Sequence, residues 1–500
     1  MNRRELFIGG GLGLLSTLAK DAPAAPQGTN APSAVSSPPI MKSFTAEDHR
    51  RRLLNIQACE SAVRTCMKKH MITSYIPGQV SYNLGEYPSR KPYDPGEYDE
   101  AELDRLRDGG IRLIQIMEDW NDMLRLFGGT KFTAVNPAGL RRFIDMAHRR
   151  GIKVLLYVST GYMQFGDPDL REEWVRGLPG KVSQAAHWKL VRCSPASPGW
   201  RAYLLPRTLR VLDDYGADGL FNDWGYKSLA TNPLPPTKDE VLAFRETPDH
   251  DAALEDLVSL IQAEVKRRGG IYKMHADNNN RPMFKRQLYD YLWVGEGVGS
   301  IDKTRLDTKD YPPYVVPCFD FRNGRVSDDE MFLQTIPYMQ FPLLLAGRPF
   351  TGERAAIPGV SYQSESKDPL LRQWREMWRY YQAHPDGPYV YGPWDEFPPR
   401  PDTKALHARW LKQYLPLVEE GTWAYLEIRD STLFTDPLPA DVVASAFVNL
   451  ETYLVLANYG AGDASIKTAH SYLLPAEPGA APSNVWNLKG KSLKILRRAA

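Results

Sequence analysis

The stretch Asp218-Gly-Leu-Phe-Asn-Asp223-Trp-Gly225 decides how the rest of the chain is read. A helical segment precedes it, opened by Ser197-Pro198 with proline at the first helical position and stopped by Gly216. Leu220 and Phe221 then make a short apolar strand, and polarity breaks in at once with Asn222, Asp223 and Trp224. Helix, glycine stop, buried strand and abrupt polarity are one unit of a parallel sheet covered by helices. In a closed barrel of such units the carboxyl end of a strand is where active sites are built, so Asp223 is a catalytic candidate; the plainer role at the same position is a loop or helix cap.

The pattern repeats on both sides. A capped helix starts at Thr45 and is expected to reach 70, with a first strand at 71–76 and a long polar, aromatic loop over 78–97. The strand at 111–117 ends in Glu118-Asp119-Trp120, and Asn136-Pro137 opens a helix that Gly151 closes. The strand at 152–158 carries Tyr157 near its end. Beyond 223, strands at 271–276, 291–294, 314–319 and 341–346 lead to His275 and Asp277, to Gly295-Glu296-Gly297, to Asp320-Phe321-Arg322 and to Gly347-Arg348. Eight short apolar strands in series, mostly separated by helices, predict an α/β fold, a (β/α)8 TIM barrel over residues 45–420. An open doubly wound sheet is the alternative, but no GxGxxG opens a helix after the first strand and no phosphate-loop lysine is present, so no nucleotide or other cofactor is expected. Further helices are expected at 370–382 and 404–420, and from Thr422 the period changes to that of antiparallel strands at 423–428, 442–448 and 452–457. Residues 421–500 therefore read as a small C-terminal β-sandwich.

Of the 500 residues, 43% are apolar and 24% charged, the composition of an ordinary globular protein. Four basic and two acidic residues in positions 1–44 account for the formal charge of +2, and the remainder is balanced at 58 of each. A balanced surface gives no reason to expect a nucleic-acid partner. Asn2-Arg-Arg-Glu-Leu-Phe7 with the mildly apolar, Gly-rich run that follows resembles a twin-arginine export signal, and an Ala-, Pro- and Ser-rich spacer extends it to residue 44. The apolar run spans 13 residues, short of the roughly 20 that cross a bilayer, so no permanent membrane span is expected. The resemblance implies the twin-arginine machinery as a partner and a periplasmic or extracellular destination. Cys59, Cys66, Cys193 and Cys318 include no CxxC; the first two, seven apart on one expected helix, lie about 10 Å apart along its axis, too far to bridge. Free, mostly buried thiols are expected.

Gathered at one barrel mouth, the strand ends bring Asp119, Trp120, Tyr157, Asn222, Trp224, His275, Asp277, Asp320 and Arg322 around Asp223 and Glu296, with Trp174, His187 and Trp188 on the walls. Carboxylates among Trp and Tyr suit an oligosaccharide or polysaccharide: flat apolar sugar faces stack on rings while hydroxyls bond charged groups. Glycosidic cleavage needs two carboxyl groups in different protonation states, for which Asp223 and Glu296 are the expected pair and Asp277 the reserve acid. A carbohydrate-binding barrel without turnover, and a metal-dependent hydrolase using Asp119, His275 and Asp277, are the alternatives.

Residues 193–223 resemble the third-helix and fourth-strand region of glycoside hydrolase barrels related to the α-amylase superfamily, and the Asp218 to Asp223 spacing is similar to the Asp-x-x-x-x-Asp of the α-galactosidase clan. The resemblance implies Asp223 as nucleophile, a retaining mechanism, an α-linked glycoside and an acid/base after a later strand, where Glu296 fits. Two residues before the nucleophile those families carry Arg or Lys; this chain has Phe221.

Overall fold

The computed structural model describes residues 44–85, 92–123, 125, 127–164, 167–175, 183–184, 189–223, 250–276, 286–294, 313–317, 328–348, 401–419 and 421–499. Within them the chain starts with α1 (Ala46–Ala62), where the Thr45 and Asp48 side chains cap each other's backbone N–H groups as the sequence predicts. The helix does not reach residue 70. It turns at Val63 into β1 (Val63–Ile72), an edge strand whose antiparallel partner lies some 350 residues away in sequence. Met71 and Ile72 therefore belong to β1, and the first barrel strand is β2 (Gln79–Asn83), inside the expected loop.

From β2 onward the expected alternation holds. α2 (Glu97–Asp108) leads to β3 (Leu113–Ile116), all four of whose residues are buried. α3 (Pro137–His148) is capped by Asn136, whose side chain accepts the Gly139 N–H at 2.9 Å, and β4 (Lys153–Ser159) follows. A small excursion holds β5 (Tyr162–Gln164), α4 (Glu172–Val175), β6 (Ser183–Gln184) and β7 (Lys189–Arg192), the three strands forming a sheet of their own. α5 (Pro198–Tyr215) ends at Gly216, whose φ of 72° is the left-handed conformation that glycine adopts without cost, and β8 (Gly219–Asp223) starts three residues later. α6 (His250–Arg267), β9 (Ile271–Ala276), β10 (Tyr291–Val294), β11 (Val315–Pro317), α7 (Asp328–Thr335) and β12 (Leu344–Gly347) complete the ring.

The barrel strands run parallel in the order β11-β10-β9-β8-β4-β3-β2-β12. The two ends of that series meet through the Leu343 N–H, which donates to the Pro317 carbonyl at 3.0 Å. Gly219 sits where β8 and β9 approach most closely: a β-carbon there would lie 1.9 Å from the Ile271 carbonyl oxygen.

α8 (Pro401–Tyr414) leads to the C-terminal strands β13 (Trp423–Ser431), β14 (Val442–Val448), β15 (Thr452–Asn458), β16 (Ala464–Leu473), β17 (Ser483–Leu488) and β18 (Ser492–Arg498). The C-terminal β region is thus antiparallel, as the sequence predicts. Its strands link into one hydrogen-bonded sheet of seven, to which β1 contributes an edge. Alternation along β13 sends Trp423 and Tyr425 into the barrel-side core and Ala424, Leu426 and Ile428 into a second core, which Ile56 and Cys59 of α1 and Trp486 and Leu488 of β17 also line. Cys59 and Cys193 are free and buried as expected, whereas Cys66 is exposed on β1 because α1 ends before it. Cys318 and the expected helix at 370–382 lie outside the described residues.

Candidate active site

Period-two alternation along β8 separates the polar residues that the sequence sets side by side. Phe221 and Asp223 share one face and Leu220 and Asn222 the other. On the inner face, Phe221 packs against Tyr157 of β4 (ring centroids 5.9 Å apart) and edge-on to Trp293 of β10 (5.4 Å), making an apolar floor. Asp223 stands above that floor at the carboxyl end of the strand. The Tyr157 hydroxyl donates to its Oδ2 at 2.8 Å, and His275 Nδ1 of β9 lies 2.7 Å from its Oδ1. A carboxylate oxygen at that distance accepts, which puts the proton on Nδ1. The imidazole is itself seated edge-on to Trp293, with ring centroids 4.3 Å apart.

The electrostatics follow from burial. Burial, with the Asp223 and Glu118 charges behind it, raises Tyr157 well above the ordinary phenol range, so the hydroxyl keeps its proton and remains a donor. Two donors from rigid strands fix the Asp223 carboxyl in orientation and favour its ionised form. Deeper in the barrel the ammonium of Lys273, fully buried, donates to Gln79 Oε1 at 3.1 Å. Its polar partner explains why β2, with Gln79, Ser81 and Asn83, lacks the apolar signature of a barrel strand.

The other expected site residues divide. Asn222 is 0% exposed and its amide donates to the Tyr272 hydroxyl at 2.7 Å, so it is a structural tie on the outer face of the sheet and not a sugar contact. Trp120 is also 0% exposed: its indole N–H donates to the Tyr157 carbonyl at 3.0 Å and its ring meets Tyr215 of α5, leaving no face for stacking. Trp174 packs against Trp200 and Tyr203 instead of lining a wall. Asp119 lies in the 3-10 turn after β3, and its Oδ2 accepts the Leu84 N–H at 2.6 Å, joining the ends of β2 and β3. Burial raises its pKa to about 8, against the pull of the Leu84 N–H and with help from the Glu118 charge. Glu296, Trp224, Asp277, Asp320, Arg322, His187 and Trp188 lie outside the described residues. Asp218 marks the opposite end of β8, where its Oδ2 is 2.7 Å from His148 Nε2 and accepts the Val154 N–H at 2.8 Å.

Sequence reasoning overlooked Lys131. It lies on the loop after β3, and its ammonium donates to the Ser159 carbonyl at 2.8 Å and to that of Tyr162. Nothing in Gly128-Gly-Thr-Lys-Phe132 marks that lysine as buried. The same loop is tied down by Arg125, which donates to both Asp167 oxygens (2.9 and 2.8 Å) and to Asp169 (2.7 Å).

No protein-family model and no curated protein matches the sequence. Solved structures do match. The trehalulose synthase MutB from Pseudomonas mesoacidophila MX-45 superposes with a TM-score of 0.50 at 13% identity, over 84% of this chain and 98% of that one. The fold shared with it is a (β/α)8 barrel. The alpha-glucosyl transfer enzyme XgtA gives the same TM-score, identity and coverage, and a point variant of MutB from crystals soaked with trehalulose gives 0.50 at 14% identity. At such identities the likeness is one of architecture, a (β/α)8 barrel followed by a C-terminal β domain.

Proposed function

We propose that the chain is an exported glycoside hydrolase that cleaves an α-linked glycoside with retention, Asp223 being the nucleophile and Glu296 the acid/base. The observation that carries this reading is the Asp223 carboxyl at the end of the fourth barrel strand, one oxygen bonded by the Tyr157 hydroxyl and the other by His275. A carboxyl group held by two donors over an apolar floor is oriented, and its ionised form favoured, as a nucleophile requires. Its attack on the anomeric carbon would form a glycosyl ester while Glu296 protonates the departing oxygen; water, activated by the same glutamate, would then release the sugar. Retention requires the two carboxyl groups about 5 Å apart. The architectural likeness to enzymes named as a trehalulose synthase and an alpha-glucosyl transfer enzyme supports sugar chemistry, and raises glycosyl transfer, in which a second sugar replaces water, as the second outcome to test. Export is supported by Arg3-Arg4 and the apolar run behind them.

The test is hydrolysis of aryl α- and β-glycosides, with and without an acceptor sugar, by the wild type and by Asp223→Ala and Glu296→Ala, the product anomer being followed by NMR. Loss of turnover in both variants with partial rescue by azide is expected. Full activity of Asp223→Ala would overturn the assignment.

A further inference from the structure

We propose that Lys131 is a positioning residue for Asp223, its buried ammonium contributing positive charge that favours the ionised carboxylate. Lys131 is 5% exposed, and its ammonium sits between the rings of Phe132 and Trp200, 5.3 and 5.4 Å from their centroids. It donates to two backbone carbonyls and, among the described residues, forms no ion pair. Burying an ammonium without a counterion beside it is costly, and a backbone clamp alone is achieved more cheaply by a neutral amide.

The surroundings show which charge it serves. Among the described residues, the groups within its electrostatic reach are Cys193, Asp223 and Asp167. Burial pushes the Cys193 thiol up to about 12, so it carries no charge at neutral pH. Asp167 belongs to a separate cluster, in which Arg125 bonds both it and Asp169. Asp223 is bonded by a hydroxyl and an imidazole, with Glu118 adding a second negative charge near Tyr157. Phe221, the preceding residue on its inner face, brings no charge. The clamped carbonyl is adjacent as well: Ser159 is the β4 residue that pairs with Asp223, so the contact that seats the cation also fixes the edge beside the carboxylate. Burial lowers the Lys131 pKa to about 8, which leaves the ammonium charged through neutral pH.

The activity consequence rests on Asp223 being the nucleophile; the electrostatic one does not. The experiment is a carboxylate titration by difference infrared spectroscopy on the wild type, Lys131→Met and Lys131→Arg, the Asp223 band being assigned by its absence in Asp223→Asn. The Asp223 transition is expected to move up by about 0.5–1 pH unit in Lys131→Met and to return towards the wild-type position in Lys131→Arg. On a cleaved glycoside, the acid limb of kcat/KM should move by the same amount. An Asp223 transition that stays in place in a folded Lys131→Met variant overturns the proposal. Should that variant not fold, the coupling is read from the other partner by 15N NMR: removing the carboxylate in Asp223→Asn should lower the Lys131 transition, and an unmoved transition refutes it. An active Asp223→Asn with the coupling intact would instead sink the catalytic assignment and leave the electrostatic pairing standing.

Discussion

Asp119→Asn tests how the barrel mouth tolerates a buried acid. The substitution is nearly isosteric and keeps an acceptor for the Leu84 N–H, 2.6 Å from Oδ2 in the wild type. It removes only the ability to ionise. In the unfolded chain an aspartate titrates near 3.9, whereas in the fold burial and Glu118 hold Asp119 at about 8. The folded state therefore binds the proton more tightly. Stability from this group is complete below about pH 4 and is lost as the pH rises through 8. At about 1.36 kcal/mol per unit, the loss reaches about 3 kcal/mol by pH 6 and about 5 kcal/mol by pH 9, upper bounds that relaxation around the site roughly halves. Equilibrium denaturant unfolding of both proteins between pH 4.5 and 9 measures this. The asparagine variant should match the wild type at the acid end and exceed it by about 2–5 kcal/mol at pH 9. A difference that stays constant across the range would show that Asp119 does not carry its proton into neutral solution.

Two further substitutions probe the neighbouring contacts. Tyr157→Phe keeps the ring on Phe221 but deletes the donor to Asp223 Oδ2, a charge-assisted bond whose loss costs about 1.5–3 kcal/mol. The Asp223 pKa should rise by about one unit or more, so the acid limb of kcat/KM shifts upward and the maximal rate falls at least about tenfold; an unchanged profile on a cleaved glycoside would detach the hydroxyl from the chemistry. Trp120→Ala should destabilise the fold by about 3–5 kcal/mol through a core cavity while leaving the ligand preferences of any surviving folded protein unaltered, as measured by denaturant unfolding and sugar binding. A selective loss of sugar affinity without loss of stability would return Trp120 to the binding site.

What could be read in advance depended on whether the information was local. The β8 unit is written in consecutive residues: the Ser197 cap, Gly216 in a left-handed turn, two apolar residues and then Asp223, each with a physical reason to be where it is. The Asn136 and Thr45 caps were legible for the same reason. The partner of β1 was not, because Val63–Ile72 pairs with β13 across most of the chain, and no local period distinguishes an edge strand from the continuation of α1. β2 was hidden by chemistry: Gln79 faces Lys273 inside the barrel, so a barrel strand carried the polarity of a loop.

The site itself divides along the same line. Asp223, Tyr157 and His275 meet because each lies on the inner face near the carboxyl end of its own strand, and register does the rest: Ser159 pairs with Asp223, and Tyr157 with Phe221. The alternation that brings these three together also excludes Asn222, since neighbours on a strand point to opposite faces; that exclusion was available from the period alone. Trp120 obeys a different geometry. The 3-10 turn of Glu118–Trp120 rotates the chain after β3, so Asp119 bonds Leu84 at the strand ends while the indole swings under Tyr157. Adjacency in sequence made aspartate and tryptophan look like one sugar platform; the turn makes the ring a support for the strand that holds the catalytic candidate. Lys131 shows the limit most clearly, because a lone lysine in a glycine-rich loop reads as a solvated charge until the loop folds over the end of β4 and closes two aromatic rings around it.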